Sequence, residues 1–216
     1  MTLPLSARTC AALFSLLLLF ILPKAYADSI PNAAEDIKPI LVGTLLPDVT
    51  LKNADGNNVT LSSLVTSKPT VLIFYRGGWC PYCNTHLADL RNIEDQLNKL
   101  GFQILAISPD QPKFLKESIA KHKLGYTLLS DSNMTAAKAL GLAFKVDDST
   151  IKKYHEYGID LEESTGQDHH LLPVPAALLV DTDAMVTFTF IAPNYKVRID
   201  KDVLIAAAKA QLKAQQ

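Results

Sequence analysis

Apolar residues arrive along this chain in two kinds of block. Residues 70–75 (TVLIFY) form a continuous β-branched and aromatic run, the pattern of a strand buried on both faces, and residues 102–107 read as the next buried strand. Shorter apolar runs at 126–129, 176–180 and 185–191 predict three more strands, the last two joined by a turn over 181–184. Residues 49–51 and 59–61 flank Asp55-Gly56-Asn57, which reads as a hairpin. Between these, Leu87, Leu90, Ile93, Leu97 and Leu100 recur at helical spacing and stop at Gly101. A second helix is expected over 111–123. A short third one, capped by Ser132 or Asn133, should end near Gly141. Asp200 opens a closing helix with Val203, Ala207 and Ala210 on one face. Residues 143–173 are polar and read as a loop insertion with one helical turn over 152–157.

The first 27 residues have another character. Arg8 precedes a twelve-residue apolar run over 11–22, broken only by Ser15, and Ala25-Tyr26-Ala27 follows ahead of Asp28. A positive start, a short apolar run and a small-x-small site make a secretory signal peptide over 1–27. A retained anchor needs about 20 apolar residues to cross a bilayer, more than are present. The mature chain expected from Asp28 comprises a polar extended lead-in over 28–44 and one domain over 45–216. The expected location is the periplasm or the extracellular space, with no membrane span after cleavage.

Of the 216 residues 48% are hydrophobic, ordinary for a globular chain with one substantial core. The signal takes Arg8 and Lys24 and no acid, leaving 19 basic and 22 acidic residues, net −3. No basic patch stands out, so nucleic acid is not an expected partner. Cys10 leaves with the signal, ahead of its apolar run.

Two cysteines remain, in Cys80-Pro81-Tyr82-Cys83. Closing so small a loop contributes little stability to a chain this long, so the pair points to chemistry. The motif follows the buried strand at 70–75 and opens the helix that runs to Gly101. A helix N-terminus presents unpaired N–H groups and the positive end of the helix dipole, both of which favour a thiolate at Cys80. Pro81 fits the first turn, where its missing N–H costs nothing. Cys83, one turn on, can reach back to form a disulfide. The expectation is an exposed attacking Cys80 and a less accessible resolving Cys83. Half of a zinc site would need a second cysteine pair, which the chain lacks. No bound cofactor is expected.

Pro175, between Val174 and the strand at 176–180, stands where a proline is tolerated at a strand start. With the stretches Phe74 through Cys83, Tyr157-Gly158-Ile159-Asp160-Leu161, Leu172-Pro173-Val174-Pro175-Ala176 and Asn194-Tyr195-Lys196-Val197-Arg198, the chain resembles the peroxiredoxin-like, AhpC/TSA-related branch of the thioredoxin superfamily. Cys-Pro-Tyr-Cys is also the glutaredoxin pair. The resemblance implies an α/β thioredoxin-like three-layer fold with an N-terminal β-hairpin and an insertion before a cis-proline strand. It also implies that Pro175 is that cis-proline and faces the cysteines, with Trp79, Pro81 and Val174 supporting the site. Arg76 or Arg198 would supply positive charge near Cys80.

Two departures bear on the activity. Peroxiredoxins carry Pro and then Thr or Ser ahead of the reactive cysteine, where this chain has Ile73 and Gly77. Thioredoxin's buried Asp, six before its first cysteine, is Phe74 here. The leading expectation is a thiol-dependent peroxidase with Cys80 attacking peroxide and Cys83 resolving, recycled by a thioredoxin- or glutathione-type thiol reductant. The alternative is a thiol–disulfide oxidoreductase acting on disulfides. A third reading, resembling Sco copper chaperones, would add His169 or His170 as a copper ligand beside the thiolates. His86, on the helix after the pair, is expected at the surface.

Overall fold

The computed structural model describes residues 30–214, so the signal-peptide reading and Cys10 lie outside the described residues. The predicted hairpin forms as β1 (Thr50–Asn53) and β2 (Asn58–Thr60), and Leu61 then opens a short helix, α1 (Leu61–Val65). The continuous apolar run becomes β3 (Thr70–Phe74), buried at every position. Next come α2 (Pro81–Lys99), β4 (Gln103–Ser108), α3 (Pro112–His122), β5 (Thr127–Ser130) and α4 (Thr135–Ala139). The chain continues through β6 (Ala143–Lys145), α5 (Asp148–Glu156), α6 (Leu161–Thr165) and β7 (Leu171–Pro173). It closes with β8 (Ala176–Val180), β9 (Val186–Ile191) and α7 (Lys201–Ala214).

Seven strands form one sheet in the order β2-β1-β5-β4-β3-β8-β9, with β3, β4 and β5 parallel. Strand β8 runs antiparallel to β3, and β9 antiparallel to β8. Because side chains alternate across a strand, β3 feeds two cores. Val71, Ile73 and Tyr75 join both cysteines, Leu87, Leu90 and Leu97 of α2 and Leu204 of α7 on one face. Leu72 and Phe74 join α1, α4 and the lead-in on the other. This is the three-layer, thioredoxin-like arrangement that the sequence predicts.

Four local expectations change. The first concerns α4, whose cap comes from neither Ser132 nor Asn133. Met134 takes a left-handed conformation, and the turn it makes brings the buried Asp131 carboxylate onto the N–H groups of Ala136 and Ala137 at 3.0 and 2.8 Å. In α7, the buried residues are Leu204, Ile205 and Ala208, while Val203 is half exposed. Both faces have helical spacing, and the larger side chains win the core.

Segment 143–173 is structured rather than a loop. Asp147 caps α5 by accepting from the Thr150 N–H at 2.9 Å, and Asp160 caps α6 by accepting from the Glu163 N–H at 2.9 Å. Strands β6 and β7 pair with each other, and Val146, Leu161 and Leu172 form a small third core that touches Trp79. The lead-in is docked as well. Ile40 N–H donates to Leu140 O, Gly43 N–H to Val186 O and Leu46 N–H to Ala184 O, tying this strap across the α4 face. Gly141 permits the crossing, since a Cβ there would lie 1.9 Å from Lys38 O.

Candidate active site

After β3 the chain turns through Arg76, Gly77, Gly78 and Trp79 into α2. Cys80 is the N-cap of that helix and Pro81 its first residue, as predicted. The Cys80 carbonyl accepts from the Cys83 and Asn84 N–H groups, both at 3.1 Å. Gly78 N–H donates to Asp110 Oδ2 at 2.7 Å, and Asn84 Nδ2 donates back to Gly78 O at 2.9 Å, so the motif loop is held at both ends.

Both cysteines are free and buried, with Cys80 only 1% exposed. The expected exposure of Cys80 is therefore not found. What separates the two thiols is electrostatic. A hydrogen bond from Cys83 lowers the Cys80 pKa to about 6 against the cost of burial, with help from the charges of Arg76 and Arg198. Burial pushes the Cys83 thiol well up, and the hydrogen bond it gives to Cys80 adds to this. At neutral pH Cys80 is mostly thiolate and Cys83 keeps its proton, the division that an attacking and a resolving thiol need.

Both arginines singled out in the sequence are brought to the pair. Arg198 Nη2 lies 3.3 Å from Cys83 Sγ. Arg76 is buried in an aromatic cage, its guanidinium 4.3 Å from the Tyr195 ring centroid, 5.0 Å from Trp79 and 5.5 Å from Tyr154. It also donates to Tyr154 Oη. Desolvation lowers the Arg76 pKa, while Cys80, Cys83 and Tyr195 favour its charged form. Tyr154 comes from α5, in the segment that reads as a loop in sequence, and Tyr195 from the turn after β9.

Val174 and Pro175 are buried at the entry to β8, where Pro175 O accepts from Ala192 N–H at 3.1 Å. Pro175 lines a cleft with Arg76, Tyr154 and Tyr195. Its peptide bond is not cis, since no cis bond occurs among the described residues. The chain passes extended from β7 into β8, a path the trans bond follows without a bend, and trans is preferred by about 0.5–1 kcal/mol.

His86 is buried, not at the surface. It lines a small pocket with Pro175, Val197 and Arg198, its Nε2 atom has no hydrogen-bond partner among the described residues, and desolvation lowers its pKa to about 4. The unfolded chain therefore binds a proton there between about pH 6.5 and 4 that the folded chain refuses. This stability is present above pH 6.5 and lost as pH falls through that window. His86→Leu should gain on the order of 2 kcal/mol over the parent at pH 4.5 relative to pH 8, read by urea unfolding at the two pH values. An equal difference at both would show that His86 does not titrate on unfolding.

The histidines of the copper reading are committed elsewhere. His169 Nδ1 accepts from Leu171 N–H at 3.0 Å while its Nε2 donates to Ser132 O at 2.9 Å, and His170 pairs with Glu162 at 2.9 Å. Among the described residues no group of three or more His, Cys, Asp or Glu side chains is placed to hold a metal.

Asp110 joins the site without a signal in the sequence. It is 1% exposed, accepts from Gly78 N–H and from Ser108 Oγ, and has its pKa raised to about 6 by burial. Thioredoxin's buried carboxylate has no counterpart at Phe74, which lies on the opposite sheet face. A carboxyl reaches this neighbourhood from β4's end instead.

A thioredoxin-like sheet with a polarised, buried cysteine pair at a helix start defines a thiol-dependent oxidoreductase. The AhpC/TSA family model matches residues 42–189, and the chain belongs to that family. It is 37% identical over 106 residues to a Haemophilus influenzae protein given the name peroxiredoxin bcp, covering 49% of this chain and 68% of that one. Over 120 residues it is 33% identical to the chloroplastic peroxiredoxin Q of Suaeda salsa, covering 56% of this chain and 53% of that one. Among solved structures, reduced Prx3 from Vibrio vulnificus in complex with hydrogen peroxide shares the fold at TM-score 0.65 and 21% identity, over 78% of this chain and 99% of that one.

Proposed function

We propose that this chain is an exported thiol peroxidase. The observation that carries the reading is the division of the pair into a Cys80 thiolate and a protonated Cys83 beneath two arginines. The Cys80 thiolate attacks one peroxide oxygen, the O–O bond breaks, and the distal oxygen leaves as hydroxide or alkoxide that takes a proton from solvent. Cys80 is left as a sulfenic acid. The fixed cation of Arg76 favours negative charge developing beside it. Cys83 then displaces the sulfenic oxygen, giving a Cys80–Cys83 disulfide and water. A thioredoxin- or glutathione-type thiol restores both cysteines. The family membership and the names of the relatives support peroxide as the oxidant.

Ile73 and Gly77, standing where peroxiredoxins place Pro and Thr or Ser, favour a second reading in which the oxidant is a disulfide. One comparison separates them. Reduced protein mixed with hydrogen peroxide and, separately, with a glutathione-type disulfide should lose both thiols faster with peroxide. The reverse order would assign it to disulfide exchange.

Export is supported by the order of residues 8–27, charged, apolar, then small-x-small. The mass of the chain recovered from the envelope or the medium should begin at Asp28. A mass retaining residues 1–27 would contradict cleavage.

A further inference from the structure

Two steps of the cycle place negative charge on Cys83, which is fully buried in a core of apolar side chains such as Val71 and Leu87. Resolution strips its proton, and reduction of the disulfide expels it as a thiolate. A buried charge without a partner is costly, so a cation is needed within reach of this sulfur. Arg198 supplies it, with Nη2 lying 3.3 Å from Cys83 Sγ, hydrogen-bonding distance for a sulfur acceptor. On Cys80, by contrast, the charge of Arg76 outweighs that of Arg198.

The turn after β9 presents this side chain. Lys196 N–H donates to Asn194 Oδ1 at 3.1 Å and Val197 N–H to Asn194 O at 2.9 Å, which closes the turn. Ile199 then anchors it in the core that holds both cysteines. The guanidinium folds back over its own turn, where Nη1 donates to the carbonyls of Tyr195 and Val197. Those two bonds fix the plane of the fork and leave Nη2 for the sulfur. Arg198 also borders a small pocket with His86 and Pro175. Burial keeps His86 neutral at neutral pH, so it sets no second charge against the guanidinium. The other titratable groups that face Cys83 are few. Cys80 at the helix cap raises its pKa, the Arg76 backbone N–H lowers it, and the Tyr75 phenol, held neutral by burial, adds no charge.

We propose that Arg198 is a catalytic residue of the second half of the cycle, carrying the negative charge of the Cys83 sulfur in resolution and again in reduction, while Arg76 serves the attack by Cys80. The proposal rests on the two cysteines being the reacting pair and holds for either oxidant. In resolution the Cys83 sulfur supplies the electron pair of the new S–S bond, and the S–O bond of the Cys80 sulfenic acid breaks. The oxygen leaves with that bond's electrons and takes the Cys83 thiol proton, so water is the product. With a disulfide oxidant a thiolate leaves in place of the oxygen. In reduction a thiolate of the thioredoxin or glutathione type attacks Cys80 Sγ. The S–S bond breaks, its electron pair goes to Cys83, and the new thiolate lies against Arg198 until solvent protonates it. A second thiolate of the reductant then attacks the mixed disulfide and releases Cys80 as its thiolate. In the resting protein Arg198 faces a neutral thiol. That contact strengthens as charge develops, and only such a difference accelerates a step.

The test uses the full mature chain and its single tryptophan, Trp79, the residue before Cys80. At pH 8, well above the Cys80 pKa of about 6, rapid mixing with hydrogen peroxide should give two fluorescence phases, sulfenic acid formation and then disulfide formation. Arg198→Met should leave the first within about threefold and slow the second at least about tenfold. Oxidised with dithiobis-nitrobenzoate, the variant should also be reduced by dithiothreitol about tenfold more slowly than the parent. Arg198→Lys, which keeps the charge but not the fork, should fall between and serves if Arg198→Met does not fold. A role confined to holding the turn predicts the opposite, because a loosened turn exposes the disulfide and speeds its reduction. Charge and scaffold also separate in Cys80→Ser, where Cys83 is the one remaining cysteine of the mature chain. There Arg198→Met should move the titration of the Cys83 β-carbon, followed by NMR, up by about one pH unit. Parental second-phase and reduction rates, equal slowing of both phases, or a Cys83 titration that stays or falls each overturn the assignment. If the parent shows no first phase with peroxide, the peroxide reading falls, and the dithiothreitol and NMR results still decide Arg198.

Discussion

Cys80→Ser should abolish turnover with peroxide and with disulfides alike, whereas Cys83→Ser should react once and stop. The reason is the unequal position of two thiols one helical turn apart. Cys80 sits at the helix cap, where it receives the Cys83 hydrogen bond and feels Arg76 and Arg198, and its pKa falls to about 6. Cys83 lies inside the first turn and holds its proton. Removing Cys80 removes the thiolate, a loss of several orders of magnitude. Removing Cys83 leaves a nucleophile but deletes the resolving group, so mass spectrometry should find a sulfenic acid after peroxide or a mixed disulfide after a thiol substrate. An adduct on Cys83 in Cys80→Ser, with Cys83→Ser inert, would reverse the roles.

Gly77→Ala should cost about 2–4 kcal/mol of stability and most of the activity. Gly77 adopts φ +145°, a conformation that side chains rarely take, and an added Cβ would sit 2.4 Å from Trp79 Nε1 and 2.8 Å from Asp110 Oδ1. Neither neighbour can yield freely. Trp79 also packs at a tilt against Tyr154, with ring centroids 5.6 Å apart, and forms one wall of the Arg76 cage. Moving Asp110 would loosen the Gly78 hydrogen bond that anchors the motif loop. Gly56→Ala provides the contrast. Gly56 also has positive φ, at +86°, but a Cβ there would meet nothing within 4 Å, so backbone strain alone, about 1 kcal/mol, should be lost. Urea unfolding of both variants separates collision from strain, and equal losses would show that the crowding around Gly77 is relieved at little cost.

The parts of this site that lie close together along the chain are legible in the sequence alone. A continuous apolar run into Cys-Pro-Tyr-Cys and then a periodic helix carries its own geometry, because strand, cap and first turn follow from local rules. Arg76 and Arg198 can be named from sequence but not placed, since a cation in a string of letters says nothing of what covers it. Asp110 is hidden for the opposite reason. Ser108-Pro109-Asp110 reads as an ordinary turn, and only the parallel pairing of β3 with β4 turns it inward. Tyr154 is lost in a polar stretch whose helix starts are nonetheless written in Asp147 and Asp160. His86 does carry a signal, since it lies on the turn between Cys83 and Leu90 that faces the core, and its polarity masks it.

The lead-in strap sets an order of assembly. Its partners, Leu140, Ala184 and Val186, lie roughly a hundred or more residues further along the chain. A ribosome, or a translocation pore fed from the N-terminus, delivers the strap first and the residues that hold it much later. Until α4 emerges, the apolar side chains Ile30, Ile37 and Ile40 lack part of the core they pack on, and Gly43 waits longer still for Val186. The first described segment to be made is thus among the last to find its place, and the core that it covers stays open while it waits.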